Sequence, residues 1–341
     1  MTAAASVAAV RAGIHRRRRI VACVVLAVLV VAIVVSLSLG DYPLAPADLW
    51  RTLWGGGERF ESYVLFQVRA PRVAMAILVG ACLGAAGAML QSLLRNPLAS
   101  PDLLGISGGS GAAAVFTLLV LGVNGPLLAL AAFLGGIAVA GLLLLAGHRR
   151  SDGGYRLILA GAGVAFLCIS ITSYLMVRAK VELAQDALVW LTGSLASTPW
   201  WNVLTVLVVA VLALPAVVAC ARWLPLTQMG PATAASLGVR SDVVRPITIV
   251  TAVLLTAGTS AFVGPISFIA LCAPAIARPL LGGGAIGVGT SAGIGAVLLA
   301  GSDLVAQFLI PGHALPVGVI TGAVGAVFLL TLLANTRRST L

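Results

Sequence analysis

Long apolar stretches without charged residues constrain this chain more than any other feature. Residues 73–94 are 22 consecutive residues with no charged side chain. A helix rises about 1.5 Å per residue, so this stretch is long enough to cross a bilayer core of roughly 30 Å. Over the whole chain 60% of the residues are apolar and 9% are charged, where a soluble domain carries about 25% charged residues. The sequence therefore predicts an all-α, polytopic membrane protein.

Turn residues divide the apolar sequence into ten predicted transmembrane helices. Pro97 and Pro101 end the second helix, because proline lacks a backbone donor and restricts the residue before it. A short amphipathic piece at 46–54 lies in the predicted outer loop before that helix, and a polar segment at 178–199 follows the fifth. The predicted helices cover 20–39, 73–94, 106–123, 127–147, 157–177, 200–221, 246–262, 266–281, 285–310 and 316–334.

The distribution of basic residues predicts the orientation in the membrane. With ten spans, 15 of the 21 lysines and arginines fall on the side of the amino terminus, including those of the loop 148–156. Loops rich in lysine and arginine are usually cytoplasmic. We therefore expect a cytoplasmic basic segment at 1–19, a single permease domain at 20–334 and a cytoplasmic tail at 335–341. The net charge of +11 follows from this topology, and no aromatic-rich basic patch points to a nucleic acid partner.

Two blocks of sequence carry a family resemblance. The first combines Arg69-Ala70-Pro71-Arg72 with Gln91 and the run Arg95-Asn96-Pro97-Leu98-Ala99. The chain resembles the FecCD-type membrane permeases of type II ABC importers, which carry ferric siderophores, haem or vitamin B12. The resemblance extends over roughly residues 69–333. The second block departs from the family pattern, since Ala270 replaces a common glycine and Ala275 a common histidine. It otherwise matches at Gly264, Ile266, Phe268, Leu271, Pro274 and Arg278.

The resemblance implies the architecture of a complete importer. Two permease subunits, identical or homologous, would line a central path, chiefly with their fifth and tenth helices and the segment after the fifth. Two cytoplasmic ATPases would bind ATP and Mg²⁺, and an extracytoplasmic binding protein would deliver the substrate. This chain has no G-x-x-x-x-G-K-[ST] loop, so it is expected to be a non-catalytic subunit without a cofactor. A ferric siderophore is the favoured substrate, with haem or cobalamin as alternatives.

Other classes of membrane protein fit the sequence less well. An ion-coupled secondary transporter usually carries ionisable residues near the membrane midplane, whereas Asp303 is the only acidic residue in the predicted spans and lies near one end. A purely structural membrane protein would not need outer arginines or a coupling-like helix. The family resemblance places the chain in the bacterial plasma membrane.

A short predicted helix in the loop 222–245 is the candidate coupling element. Proline at position 231 and glycine at position 238 bracket a seven-residue helix, as expected for a helix start and end. A helix in a loop is often only a connector, and Arg95-Asn96 by itself reads as an ordinary turn. The resemblance implies instead that these residues contact the ATPase or pack near it. The expected coupling residues are Ala232, Ala235, Ser236, Leu237, Gly238, Arg95 and Asn96.

Arginines on the predicted outer face are the candidate docking residues. Arg69 and Arg72 lie near the outer end of the second helix, where arginines often extend to the interface. The resemblance implies instead that they meet acidic residues of the binding protein, and that Gln307 stands where the vitamin B12 importer has a third arginine. Asp303 lies on the same predicted side. We expect it to make a structural hydrogen bond, with a direct substrate contact as the alternative.

The five cysteines are predicted to pack in the apolar core. Each lies within or beside an apolar run, and none forms a C-x-x-C pair. Pro274 lies inside a predicted span, where a helix kink is its expected role.

Overall fold

The structure is a computed structural model, and it describes residues 3–40, 42–147, 153–196, 198–282, 286–310 and 314–338. Within these residues the chain is all-α, and no strand occurs. Two predicted features lie partly outside the described residues: the basic loop, at 148–152, and the turn before the ninth predicted helix with the first residue of that helix, at 283–285.

The helices follow one another with short connections. The first nine are α1 (Ala3–Ser38), α2 (Pro46–Leu53), α3 (Arg59–Tyr63), α4 (Ala70–Leu94), α5 (Ile106–Leu119), α6 (Pro126–Gly147), α7 (Gly153–Arg178), α8 (Val181–Thr192) and α9 (Trp200–Gln228). The remaining five are α10 (Pro231–Ser236), α11 (Ser241–Val263), α12 (Ile269–Leu281), α13 (Val288–Phe308) and α14 (Val317–Arg338).

The number of apolar helices agrees with the sequence. Seven of the described helices are long and apolar enough to cross a bilayer, and three more are apolar but shorter. These ten correspond one by one to the ten predicted helices, so the predicted polytopic all-α class is confirmed. The short amphipathic piece predicted at 46–54 is α2, and α8 lies within the polar segment 178–199.

Helix α4 forms the centre of the molecule and is mostly buried. It packs against α13 through glycines on both sides: a side chain at Gly80 would overlap the backbone at Gly295, and one at Gly84 would overlap the backbone at Ser291. A side chain at Gly87 would likewise overlap the backbone of Ala270 in α12. Small residues let membrane helices approach closely, so these glycines bring α12 and α13 against the central helix.

Helix α1 begins earlier than predicted. It starts at Ala3 instead of residue 20 and continues through the arginines, because the preceding sequence is rich in alanine and contains no proline. Arg17 donates hydrogen bonds to the carbonyls of Pro279 (2.9 Å) and Leu280 (2.8 Å). The arginine therefore caps the last turn of α12 and fixes the basic end of α1 against it.

Two other helix boundaries also differ from the prediction. Residues 59–94 form one continuous span, with a π-helical turn at Val64–Arg69 joining α3 to α4, so Arg69 and Arg72 lie inside a helix and not at its end. Helix α9 continues to Gln228 although it contains Pro215 and Pro225. Prolines are tolerated in membrane helices when neighbouring groups satisfy the freed carbonyls. The predicted loop 222–245 is consequently helical over most of its length.

Four of the five cysteines agree with the predicted packing role, and Cys23 does not. Cys82, Cys168, Cys220 and Cys272 are buried, Cys23 is exposed, and all five are free thiols.

Candidate coupling and docking sites

The short helix α10 presents a small, apolar face to the outside of the subunit. Gly230 (φ 103°) precedes it and Gly238 (φ 79°) follows it, which are backbone angles that favour glycine. Ala234 is fully buried against the body of the protein. The backbone N–H of Val239 bonds to its carbonyl at 2.9 Å and closes the turn. The exposed positions from 231 to 238 are all except Ala234, and they include five of the predicted coupling residues: Ala232, Ala235, Ser236, Leu237 and Gly238.

The turn after α4 is attached to the helix that leads into α10. Arg95 adopts a left-handed conformation (φ 51°) at the end of α4 and donates a hydrogen bond to the carbonyl of Thr227 at 2.9 Å. The Gln228 side chain donates a hydrogen bond to the Ser92 hydroxyl at 2.8 Å. Asn96 accepts a hydrogen bond from the backbone N–H of Leu98, which forms the turn. The structure thus joins the Arg95-Asn96 turn to the last residues before Gly230.

A buried ion pair links α4 to α13. The Arg72 guanidinium contacts both oxygens of Asp303, with Nε–Oδ2 at 3.0 Å and Nη2–Oδ1 at 2.9 Å. The Gln307 amide donates a further hydrogen bond to the same carboxylate at 2.8 Å. The Asp303 side chain is 3% exposed and that of Arg72 is 15% exposed. A carboxylate inside a membrane protein needs such partners, and this arrangement matches the structural hydrogen bond expected for Asp303.

Arg69 also bonds within its own chain. Its guanidinium donates hydrogen bonds to the carbonyl of Leu37 in the last turn of α1 (2.7 Å) and to that of Tyr42 beyond the helix (2.5 Å). The side chain is buried. Of the predicted docking residues, Arg72 and Gln307 therefore share one carboxylate, while Arg69 holds the end of the first helix. The structure leaves their docking role a prediction.

A cavity of about 300 Å³ lies beside α7 and was not expected from the sequence. Its walls come from the start of α5, the middle of α7, the end of α8 and the link between α11 and α12. Polar lining residues include Asp102, Ser107, Thr172 and Ser267. Asp102 accepts a hydrogen bond from the Ser107 hydroxyl. In the sequence, Asp102 is distinguished only as the one acidic residue of the turn after α4.

The chain is similar to known permeases over nearly its whole length. Residues 28–335 match the FecCD transport family. The chain is 37% identical to the ferric enterobactin transport system permease protein FepG of Escherichia coli (strain K12), covering 94% of this chain and 98% of that protein. It is 38% identical to the Fe(3+) dicitrate transport system permease protein FecD of the same organism, covering 89% and 94%.

A solved structure shares the fold. It is "An inward-facing conformation of a putative metal-chelate type ABC transporter", with a TM-score of 0.83 and 26% sequence identity. The similarity covers 93% of this chain and 99% of that one. The order and packing of the helices described above are therefore those of a transporter permease.

Proposed function

The chain belongs to the FecCD transport family, and on that premise we propose that it is the membrane permease through which an ATP-driven importer takes up a ferric siderophore. The observation that carries this proposal is its similarity, from end to end, to permeases named for ferric enterobactin and ferric dicitrate. A multi-pass protein of the bacterial inner membrane is the coarser conclusion, and it follows from family membership and the ten apolar helices.

We propose that the working complex contains two permeases, two cytoplasmic ATPases and an extracytoplasmic binding protein. The second permease is either a copy of this chain or a homologue. ATP and Mg²⁺ bind to the ATPase subunits, so this chain contributes the path and not the hydrolysis. The path is formed by α7 and α14 together with α8. The exposure of α7 within the isolated subunit is compatible with this assignment, since a helix that faces a partner, a path or lipid is exposed there.

We propose that α10 is the coupling helix. Its exposed residues are small and uncharged, which suits contact with a groove of the ATPase, and a glycine lies at each end of the helix. The Arg95 contact with the carbonyls at the end of α9 supports a role for the α4–α5 turn in the same movement, since both elements are held together.

Transport of labelled chelates tests the proposed substrate. The complex is reconstituted in proteoliposomes, and uptake of ferric enterobactin, ferric dicitrate, haem and cobalamin is compared with ATP inside. We expect uptake of an iron chelate and not of haem or cobalamin. Uptake of haem or cobalamin alone would assign the same architecture to a different substrate.

The proposed orientation predicts which side of the membrane each loop occupies. In a variant without native cysteines, a cysteine at Ser241 should react with an impermeant thiol reagent only from the cytoplasm. A cysteine at Glu58 should react only from outside, because the basic loops, and with them both termini, are expected to be cytoplasmic. Labelling of intact cells and of inverted vesicles measures both. Labelling at Ser241 from outside intact cells would contradict the ten-span topology.

We propose that the binding protein docks over the outer ends of α4 and α13, where Arg72 and Gln307 lie. Asp303 compensates the charge of Arg72. The charge at position 307 should therefore control the electrostatic attraction between the permease and the acidic residues of the binding protein. Gln307→Arg should raise the association rate about threefold or more at low ionic strength and make it more salt-dependent, since surface charges act mainly on encounter. Stopped-flow binding measures this, with Gln307→Ala as the uncharged control. An unchanged rate and salt dependence would remove position 307 from the docking surface.

A further inference from the structure

Two adjoining cavities lie between α6, α9 and α11. Helices α6 and α9 both pack on α11, and the first cavity, of about 340 Å³, lies where α6 and α9 begin. The second cavity, of about 240 Å³, reaches down to Phe133 of α6 and Val209 of α9. The two cavities share five lining residues: Pro126, Ala129, Trp201, Ala261 and Phe262. They therefore form one groove, which follows α6 and α9 for about two helical turns, or roughly 10–12 Å.

The polarity of the groove changes along its length. The side-chain amides of Asn124 and Asn202 lie at its entrance, and neither amide is hydrogen-bonded to another residue that the structure describes. In the deeper cavity, the hydroxyl of Thr205 is already bonded to the Trp201 carbonyl at 2.9 Å. The lining residues that the structure describes include no charged side chain. The groove thus offers free hydrogen-bonding groups at its entrance and an uncharged, apolar interior.

The groove opens on an apolar surface of two membrane-spanning helices. Leu130 lines the deeper cavity and is exposed at the surface of α6. On the flanking helices, Leu134 of α6 and Leu204 and Val208 of α9 are exposed as well. The hydrocarbon core of a bilayer contains no water, so exposed apolar side chains at this depth meet acyl chains. The deeper cavity is therefore accessible from the lipid phase.

The shape and polarity of the groove select its occupant. Water does not fill a cavity that lacks free polar groups, and an unfilled groove would cost its walls their dispersion contacts. A charged chelate would leave its charge unpaired in the uncharged interior. A helix of a partner subunit would need contact along a whole span, whereas the groove is only two turns deep. A molecule with a polar end and an apolar chain satisfies both parts of the groove, and the bilayer supplies such molecules.

We propose that this groove binds a membrane phospholipid. One acyl chain occupies the deeper cavity, and the ester and phosphate oxygens of the lipid accept hydrogen bonds from the amides of Asn124 and Asn202. Trp190 also lines the first cavity, so the lipid contacts α8 as well as α6 and α9. Because no charged residue recognises the head group, the site takes zwitterionic and anionic phospholipids alike. This inference does not depend on the proposed transport function.

Retention of phospholipid after detergent washing tests the proposal. The full-length chain is reconstituted with a phosphatidylethanolamine that carries a diazirine in one acyl chain, extracted into mild detergent, washed and irradiated. Lipid that only surrounds the protein is washed away. Cross-links on 126–133 and 201–209 should therefore outnumber those on the exposed α1 segment 20–38 by about threefold or more, because a buried acyl chain is held by its apolar contacts.

The head group provides a second measurement on the same washed protein. Native mass spectrometry should find one retained phospholipid per chain. Phosphatidylglycerol should be retained to within about twofold of phosphatidylethanolamine, since a charge that meets no fixed partner contributes little.

Variants address the two ends of the groove. Thr205→Phe fills the deeper cavity and should lower the retained phospholipid about threefold or more, because the acyl chain loses its place. Leu207→Phe is the matched control, since Leu207 is exposed on the same helix outside the groove, and it should retain lipid normally. The double variant Asn124→Ala with Asn202→Ala should also lower retention. Neither asparagine is buried, so this variant keeps the proposal testable if Thr205→Phe fails to fold.

Three results would overturn the proposal. The first is an equal spread of cross-links over the groove and α1, which would mean that the groove holds only exchanging bilayer lipid. The second is unchanged retention in a folded Thr205→Phe chain or in the asparagine double variant. The third is a strong preference for one head group, because the uncharged entrance could not produce it.

Discussion

Replacing Asp303 with alanine should lower the free energy of unfolding by about 3–5 kcal/mol, because the Arg72 guanidinium then stays buried without its counter-charge. The pair is well shielded from solvent, with side-chain exposures of 3% and 15%. It also joins α4 and α13, which pack together along the glycine contacts. Loss of the pair should therefore weaken the centre of the subunit and not only its surface.

Thermal unfolding of the purified subunit in one detergent measures this effect. Gln307→Ala is the matched control, since it removes one hydrogen bond from the same carboxylate and should cost about 1–3 kcal/mol. The double variant Arg72→Met with Asp303→Leu should recover most of the stability, because it removes both charges together. If Asp303→Ala is as stable as the parent while its uptake of chelate is lost, Asp303 contacts substrate and the structural role is wrong.

The second large effect is expected at the surface of α10. Ala235→Glu should leave the subunit in the membrane but reduce ATP-driven uptake by roughly thirtyfold or more. A charge buried without a partner in the ATPase interface costs about 2 kcal/mol or more. Ala235 is exposed on the isolated subunit, so the substitution should not disturb its folding.

Uptake by proteoliposomes and retention of the ATPase on a tagged permease measure this prediction. Ala235→Gln is the matched control, since it has nearly the same size without the charge and should lose much less activity. Normal uptake by Ala235→Glu would mean that α10 is only a connector between α9 and α11, which is the alternative that the sequence left open.

The sequence predicts those features that depend on local patterns. The apolar stretches predicted the positions of all ten apolar helices. The proline and the glycine around α10 predicted the start of that helix and, to within one residue, its end. The predicted start of α1 and the predicted end of α9 were wrong. Arginines do not stop a helix when their side chains find partners in neighbouring segments, and prolines do not stop one when neighbouring groups bind the carbonyls that they free. The capping of α12 by Arg17 shows such a long-range partnership.

The contacts between distant residues could not be predicted. Arg72 and Asp303 are separated by 231 positions, and a single sequence gives no sign that they meet. The cavity beside α7 was missed for the same reason, since residues from distant parts of the chain line it. The family resemblance located Arg69 and Arg72, but it could not show that both are bonded within this subunit.

We propose that this chain passes an iron chelate across the membrane, driven by an ATPase partner. The most direct measurement is uptake of ⁵⁵Fe-labelled ferric enterobactin or ferric dicitrate into proteoliposomes that contain the permease, the ATPase and the binding protein. We predict uptake that requires internal ATP and the binding protein, and that persists when proton and sodium gradients are collapsed. Uptake that proceeds without the ATPase and follows an ion gradient would contradict the account.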